Sequence, residues 1–163
     1  KPLVISTVDI AEAKEYVITN CAPRDNLKDN YITEIEVGKA VRASSSFPAF
    51  FCPCEFKNHI FMDGGVLDNT PVLPLKQICD KKIIAVNFES DSVGEDCDVM
   101  DVIMKSLDIM GNKISEKSFE QSDLILTIPT DGAGLFDIDK LDKCYQFGYN
   151  TVMRNLKKFR DLL

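Results

Sequence analysis

An aspartate followed by two glycines, Asp63-Gly64-Gly65, is the segment of this sequence best suited to chemistry. It follows the apolar segment Phe56 to Met62, which predicts a strand. A carboxylate at the end of a sheet strand points into the crevice where open α/β sheets bind ligands, and the glycines after it allow a sharp turn. The alternative is a tight turn whose aspartate caps its own loop, and the tripeptide alone favours that alternative.

The residues around this turn carry a wider pattern. The sequence reads V-R-A-S-S-S-F-P-A-F-F over 41–51 and F-M-D-G-G-V-L-D-N-T-P-V over 61–72. An A-S-S-x-x-P segment, an apolar strand, the D-G-G turn and an N-x-P follow one another in an order that resembles the patatin-like phospholipase family. An opening strand that ends in Asp9 and the D-L-I-L-x-I-P run of 123–129 extend the resemblance over essentially the whole chain.

The resemblance implies hydrolysis of acyl esters, usually in lipids, by a serine–aspartate dyad. In that family the serine of a G-x-S-x-G elbow attacks the carbonyl carbon, and the aspartate of D-G-G is the base without an intervening histidine. Carried over to this chain, the resemblance makes Asp63 the base and Gly64 and Gly65 the motif glycines of the catalytic turn. It implies no cofactor and no metal, and a lipid or other acyl ester as substrate.

The nucleophile of that mechanism has no match in this sequence. No G-x-S-x-G occurs in the 163 residues, and Ser44, Ser45 and Ser46 lack the glycines that flank such an elbow. Loss of the nucleophile in a comparable serine enzyme costs about six orders of magnitude in turnover. We therefore expect residues 1–163 to be the C-terminal part of a single patatin-like catalytic domain, nearly inactive without its N-terminal part, or else a degenerate relative. The alternative function is a non-catalytic α/β module that binds lipid or a partner protein.

Two other candidates for catalytic residues, His59 and Asp68, are expected to have structural roles instead. His59, the only histidine, follows a predicted turn and is expected to face solvent in a structural role. Asp68 lies five residues after Asp63, as in a glycosidase carboxylate pair, but is better placed to organise the turn before Thr70.

The cysteines are also interpreted structurally. A zinc site built from Cys52, Cys54, His59 and Cys79 does not match the usual ligand spacings, so loop thiols are preferred. Reduced thiols in a cytoplasmic protein are expected, and a redox or metal protein built on cysteines is the third-ranked alternative. The chain contains six of them: Cys21, Cys52, Cys54, Cys79, Cys97 and Cys144.

Apolar periodicity predicts the elements that must position these residues. Strands alternate with helices and are nearly continuously apolar, which predicts an α/β fold, layered α/β/α, with a largely parallel sheet. A surface loop is predicted over 20–33 and a packed loop over 43–53. The predicted strands are Leu3 to Asp9, Lys14 to Thr19, Phe56 to Met62, Lys82 to Phe88 and Asp123 to Ile128. The predicted helices are Glu34 to Arg42, Thr70-Pro71 to about Cys79, a long helix from Asp98, and Ile138 to Phe159.

Charge and composition exclude several classes of function. The net charge of −7 and the absence of a Lys/Arg stripe argue against nucleic-acid partners and against electrostatic docking on anionic membranes. No apolar run approaches the roughly 20 residues of a membrane-spanning helix, and no signal-peptide pattern opens the chain. We expect a cytoplasmic protein that can lie peripherally at membranes, and the first residue, Lys1, suggests a piece of a longer protein.

Overall fold

The computed structural model describes residues 1–24, 29–89, 98–134 and 137–162. Residues 25–28 of the predicted loop over 20–33 lie outside the described residues, and so does Cys97. The chain divides into two compact units. The first unit comprises residues 1–81 and 109–121, and the second comprises residues 82–108 and 122–163.

The first unit is built on a five-stranded sheet with the order β3-β2-β1-β5-β4. Three neighbouring pairs are antiparallel, and only β2 and β3 run parallel. The strands are β1 (Val4–Asp9), β2 (Lys14–Thr19), β3 (Tyr31–Ile32), β4 (Cys54–Phe56) and β5 (His59–Asp63). The helices of this unit are α1 (Val37–Ser44) and α2 (Val72–Lys76).

Two tight turns determine the direction of most strands in this sheet. Asp9 accepts hydrogen bonds from the backbone N–H groups of Ala11 (2.8 Å) and Glu12 (3.0 Å), which stabilises the turn between β1 and β2. Lys57, with a φ of 52°, turns the chain between β4 and β5. The predicted strand Phe56 to Met62 is therefore two strands joined by a two-residue turn, because Lys57 and Asn58 break it.

Helix α1 covers one face of this sheet and closes the core. Buried residues from β2, α1, β4 and β5 form the cluster Tyr16, Ala43, Cys54 and Phe61. The Tyr16 and Phe61 rings meet edge to face with centroids 5.5 Å apart, an arrangement favoured by the quadrupoles of aromatic rings. Phe61 is completely buried, so it joins the strand that ends in Asp63 to the core.

The second unit contains a pair of parallel strands, β6 (Ile84–Phe88) and β7 (Leu124–Ile128). The Asp123 carboxylate anchors the start of the pair, accepting from the Lys82 ammonium (2.8 Å) and from the Ile83 backbone N–H (2.9 Å). Helix α4 (Leu141–Arg154) contacts β7 and is followed by α5 (Leu156–Leu162). The predicted closing helix thus begins with a 3-10 turn, Ile138–Lys140, and continues as two α-helices with Asn155 between them.

A long helix, α3 (Val99–Glu120), contributes residues to both units. Asp98 and Asp101 form a reciprocal cap at its start: each carboxylate accepts from the other's backbone N–H, at 2.8 and 2.9 Å. This cap confirms the predicted helix start at Asp98. None of the helices in the described part of the chain has the length and apolar content needed to span a bilayer.

The predicted α/β class is confirmed, but the expected largely parallel sheet is mixed. Connections as short as those after β1 and β4 permit only antiparallel pairing, whereas parallel pairing needs a crossover. Helix α2 is also shorter than the predicted helix from Thr70 to about Cys79. The Thr70 hydroxyl does not cap it, because it donates to Ser115 Oγ at 3.4 Å instead.

We predict that Phe61→Ala lowers the free energy of unfolding by about 3–5 kcal/mol, because it removes a fully buried ring. The matched control is Phe51→Ala, since Phe51 is 51% exposed and should change stability by less than about 0.5 kcal/mol. Urea unfolding followed by circular dichroism measures both. Equal effects of the two substitutions would contradict the assignment of Phe61 to the core.

Candidate active site

Asp63 is the last residue of β5, and the structure holds the backbone there from two sides. The residue pairs with Thr7 of β1 in the antiparallel register. On the other side, the Asp63 N–H donates to the Ser46 carbonyl at 3.1 Å. The position of this carboxylate therefore depends on the sheet and on the loop that follows α1.

The side chain of Asp63 begins the next turn of the chain. Its Oδ1 accepts from the Gly65 N–H at 2.8 Å and so caps a short 3-10 helix, Gly64–Val66. Among the described residues, no hydrogen bond reaches the other oxygen, Oδ2. The self-capping turn considered as the alternative is thus present, but it occupies only one of the two carboxylate oxygens.

The two glycines of the turn are required for different reasons. A Cβ on Gly64 would lie 2.4 Å from the backbone oxygen of Ser6, so the turn packs directly on β1. A Cβ on Gly65 would lie 2.9 Å from the Asn69 side chain and 3.1 Å from Asp63 Oδ1. Gly64 therefore permits the close packing, and Gly65 keeps space beside the carboxylate.

Asp63 lines a cleft of about 290 Å³ within the first unit, close to the lower end of the roughly 300–1,000 Å³ of small-molecule sites. Apolar residues of β1 line it together with polar groups. The polar side chains that line the cleft are Ser6, Ser44, Asp63, Asp68 and Asn69.

Both carboxyl groups of the cleft are harder to ionise than an exposed aspartate. Burial raises the pKa of Asp63 above its ordinary value of 3.8, against the lowering effect of the Gly65 N–H. Burial likewise raises the pKa of Asp68, opposed by a hydrogen bond from the Thr70 N–H. Asp68 thus organises the turn before Thr70, as predicted, with Oδ1 3.2 Å from that nitrogen. A raised carboxyl pKa in a cleft is typical of a general base or acid.

Ser45 and Ser46, which follow α1, have the predicted helix-terminating role, whereas Ser44, the last residue of α1, lines the cleft. The Ser45 hydroxyl donates to the Val41 carbonyl and the Ser46 hydroxyl to the Arg42 carbonyl, both at 2.8 Å. The Arg42 guanidinium also donates to Ser46 Oγ. Sequence reasoning missed the role of the Ser46 carbonyl in holding Asp63, because the sequence carries no signal for a backbone contact between distant segments.

The prediction that His59 faces solvent is wrong. Its side chain is only 24% exposed, and Nδ1 lies 2.7 Å from Oδ2 of Asp9, whose side chain is 1% exposed. Strand pairing explains this, because Asp9 is in register with Phe61, and the backbone N–H of Ile10 donates to the carbonyl of Ile60 at 3.0 Å. His59 begins β5 and does not line the cleft that contains Asp63 at the other end of the strand.

The rejected zinc site is not assembled within the described residues. The side chains that converge with His59 are Asp9 and Glu12, not cysteines. The cysteines of the described ranges carry free thiols, as predicted: Cys21, Cys52, Cys54, Cys79 and Cys144.

Comparison with known families finds a similarity in the part of the chain that contains this site. The family model described as patatin-like phospholipase matches residues 6–76, a segment that includes the Asp63 turn and most of the cleft. The match confirms the predicted resemblance to patatin-like phospholipases over these residues. It does not bear out the narrower prediction that only the C-terminal part is present, since it lies in the N-terminal half of the chain.

We predict that Gly64→Ala destabilises the first unit by about 1–3 kcal/mol, because the added methyl group meets the backbone of β1. Gly38→Ala is the matched control: its added Cβ has no atom within 4 Å, and the residue lies in α1. That substitution should stabilise the protein by about 0.4–1 kcal/mol. Chemical denaturation compares the two, and a neutral Gly64→Ala would show that the turn does not pack on β1 as described.

Proposed function

We propose that this chain is the aspartate-bearing part of a lipid acyl hydrolase of the phospholipase A or esterase type. Asp63 is the general base of a serine–aspartate dyad, and a polypeptide segment outside this sequence contributes the serine and the oxyanion hole. The observation that carries the proposal is the carboxylate itself. It stands at the end of a strand, in a cleft, with one oxygen held by the Gly65 N–H.

The two oxygens of the Asp63 carboxylate have separate roles in the proposed reaction. Oδ2 of Asp63 takes the proton of the serine hydroxyl while the serine oxygen attacks the ester carbonyl carbon. The tetrahedral intermediate then collapses, the bond to the alcohol breaks, and the same proton passes to the departing alkoxide. In the second step Asp63 takes a proton from water, the hydroxide attacks the acyl-serine, the bond from the acyl carbon to the serine oxygen breaks, and the proton passes to that oxygen as the fatty acid is released. The hydrogen bond from Gly65 to Oδ1 keeps the carboxylate oriented through both steps.

Burial makes Asp63 better suited to this role. An aspartate with an ordinary pKa is a weak base for a hydroxyl group, because it holds a proton poorly at neutral pH. Partial burial raises the pKa of Asp63, which brings its basicity closer to the working pH. The apolar residues Val4, Ile5 and Pro71, which line the same cleft, suit the acyl part of a lipid ester.

The sequence also supports a second candidate, a non-catalytic patatin-like module that binds lipid or a partner protein. The observation that favours it is the lack of a G-x-S-x-G anywhere in the 163 residues. Both proposals place the protein in the cytoplasm and, when it acts on lipid, peripherally at a membrane, without a nucleic-acid partner. A glycine-flanked serine after a strand in the rest of the polypeptide distinguishes the enzyme from the binding module.

We predict that Asp63→Asn reduces ester hydrolysis by the intact protein at least about 100-fold, since it removes the base and keeps the shape of the side chain. The control is Asp139→Asn, at an exposed aspartate of the second unit, which should retain activity. Asp68→Asn tests the neighbouring carboxyl group of the cleft. Full activity of Asp63→Asn together with loss in Asp68→Asn would move the role of base to Asp68 and contradict the proposal.

We predict that the ionisation of Asp63 determines the acid limb of the pH profile of kcat/KM. The base acts only when unprotonated, so activity rises with pH through a pKa above 3.8. The contribution of Asp63 to stability changes with pH in the opposite direction. Because the pKa of Asp63 is raised in the folded state, the group favours folding below pH 3.8, and this contribution is lost as the pH rises through the folded-state pKa. Asp63→Asn should therefore be at least as stable as the wild type at pH 7, although inactive. An unchanged acid limb in its residual activity would exclude Asp63 as the titrating group.

A further inference from the structure

Three side chains that can ligate metals converge at the end of β5 opposite to Asp63. Asp9 is the last residue of β1, Glu12 lies in the turn that follows, and His59 is the first residue of β5. His59 Nδ1 lies 2.7 Å from Asp9 Oδ2 and 3.9 Å from Glu12 Oε1. One ligand atom from each residue lies within 4.8 Å of those of the other two.

The remaining oxygen of each carboxylate is already held by a donor. Asp9 Oδ1 accepts from the Ala11 and Glu12 N–H groups at 2.8 and 3.0 Å. Glu12 Oε2 accepts from the Tyr16 hydroxyl at 2.7 Å. Each carboxylate therefore has one oxygen directed to the common centre and one oxygen fixed from behind. Hydrogen bonds of this kind orient the ligands of protein metal sites.

Packing also fixes the imidazole ring. The His59 ring stacks on Phe61 with centroids 5.2 Å apart at an angle of 17°, and Tyr16 lies 4.7 Å away on a tilted plane. Asp9 is buried while the Glu12 side chain is 48% exposed, so the centre is rigid on one side and open to solvent on the other. An ion could enter there and keep a water ligand.

We propose that Asp9, Glu12 and His59 bind a divalent transition-metal ion of the Zn²⁺ type. One imidazole nitrogen and two carboxylate oxygens are a ligand set that zinc accepts, with a fourth position left for water. Zinc–ligand bonds of about 2.0–2.2 Å place the ligand atoms of a tetrahedral site about 3.4 Å apart. Binding would therefore replace the 2.7 Å hydrogen bond between Nδ1 and Asp9 Oδ2 and draw Glu12 Oε1 closer than its present 3.9 Å. The ion would join β1, its turn and β5. This departs from the sequence-based expectation of no metal.

The competing explanation is a metal-independent ion pair. A protonated His59 between two carboxylates would give similar contacts and would stabilise the same strands. Burial alone would raise the pKa of Asp9, but hydrogen bonds from the Glu12 N–H, His59 and the Ala11 N–H outweigh it and hold the pKa below its ordinary value. An ionised Asp9 serves either arrangement, so the two must be separated by measurement.

The test is calorimetric titration of the full chain with Zn²⁺ after its accessible thiols have been alkylated. We expect one ion per chain and a higher Tm, since an ion that binds only the folded state stabilises it. His59→Gln and Glu12→Gln should abolish this binding, and Glu12→Gln should leave the fold intact because the side chain is half exposed. Tyr16→Phe, which removes only the donor to Glu12, should weaken binding about 10–100-fold. Glu55→Gln, at an exposed carboxylate of β4, should bind like the wild type.

Three outcomes would overturn the proposal. One is the absence of saturable binding, with an unchanged Tm; this would leave the ion pair. Another is binding that persists with equal affinity in His59→Gln and Glu12→Gln. The last is binding through cysteines. It would appear as a thiolate charge-transfer band when Co²⁺ replaces Zn²⁺ in protein that has not been alkylated, together with no metal binding by the alkylated protein. None of these measurements depends on ester hydrolysis.

Discussion

Strands β1 and β5 pair over three residues, Thr7 with Asp63, Val8 with Met62 and Asp9 with Phe61. This short antiparallel ladder determines both polar sites of the first unit, because it places Asp63 at one end and His59 beside Asp9 at the other. The Thr7 hydroxyl, fully buried, strengthens the ladder by donating to the Met62 carbonyl at 2.7 Å. A shift of one residue in the register would turn every side chain of β5 to the opposite face, and both sites would be lost together.

Strand β1 carries several buried polar side chains although it lies in the centre of the sheet. Ser6, Thr7 and Asp9 are at most 5% exposed, and burial of a polar group is unfavourable unless it is hydrogen bonded. Each one has a partner: Ser6 donates to Glu15 at 3.4 Å, Thr7 to the neighbouring strand, and Asp9 accepts from its own turn. No buried side-chain nitrogen or oxygen in the described ranges lacks a hydrogen bond. The polar residues thus connect the sheet to its turns without leaving an uncompensated group in the core.

Local patterns in the sequence predicted the elements whose causes are local. Lys14 to Thr19 forms a strand with the predicted bounds, and Asp98 caps α3 as expected. The Asp63 turn was also predictable, because the two glycines that follow the aspartate indicate a sharp turn of the backbone. The pairing of β1 with β5 and the contact between Asp9 and His59 were not predictable, since they join segments about 50 residues apart. Periodicity reports which face of a strand is buried, but not which distant strand will lie beside it.

Asp63 and Asp9 show how two aspartates of one sheet acquire opposite properties. Both are withdrawn from water, which disfavours the charged form. Asp9 accepts two backbone N–H groups and faces His59, so its pKa falls below the ordinary value despite burial. Within the described ranges Asp63 accepts a hydrogen bond only from the Gly65 N–H, which does not offset burial, and its pKa rises. Burial raises the pKa of both carboxyl groups, and the additional donors at Asp9 reverse the direction of its shift. Because Asp63 has one oxygen without a donor among the described residues, it is the carboxylate that suits the proposed proton exchange with a serine hydroxyl.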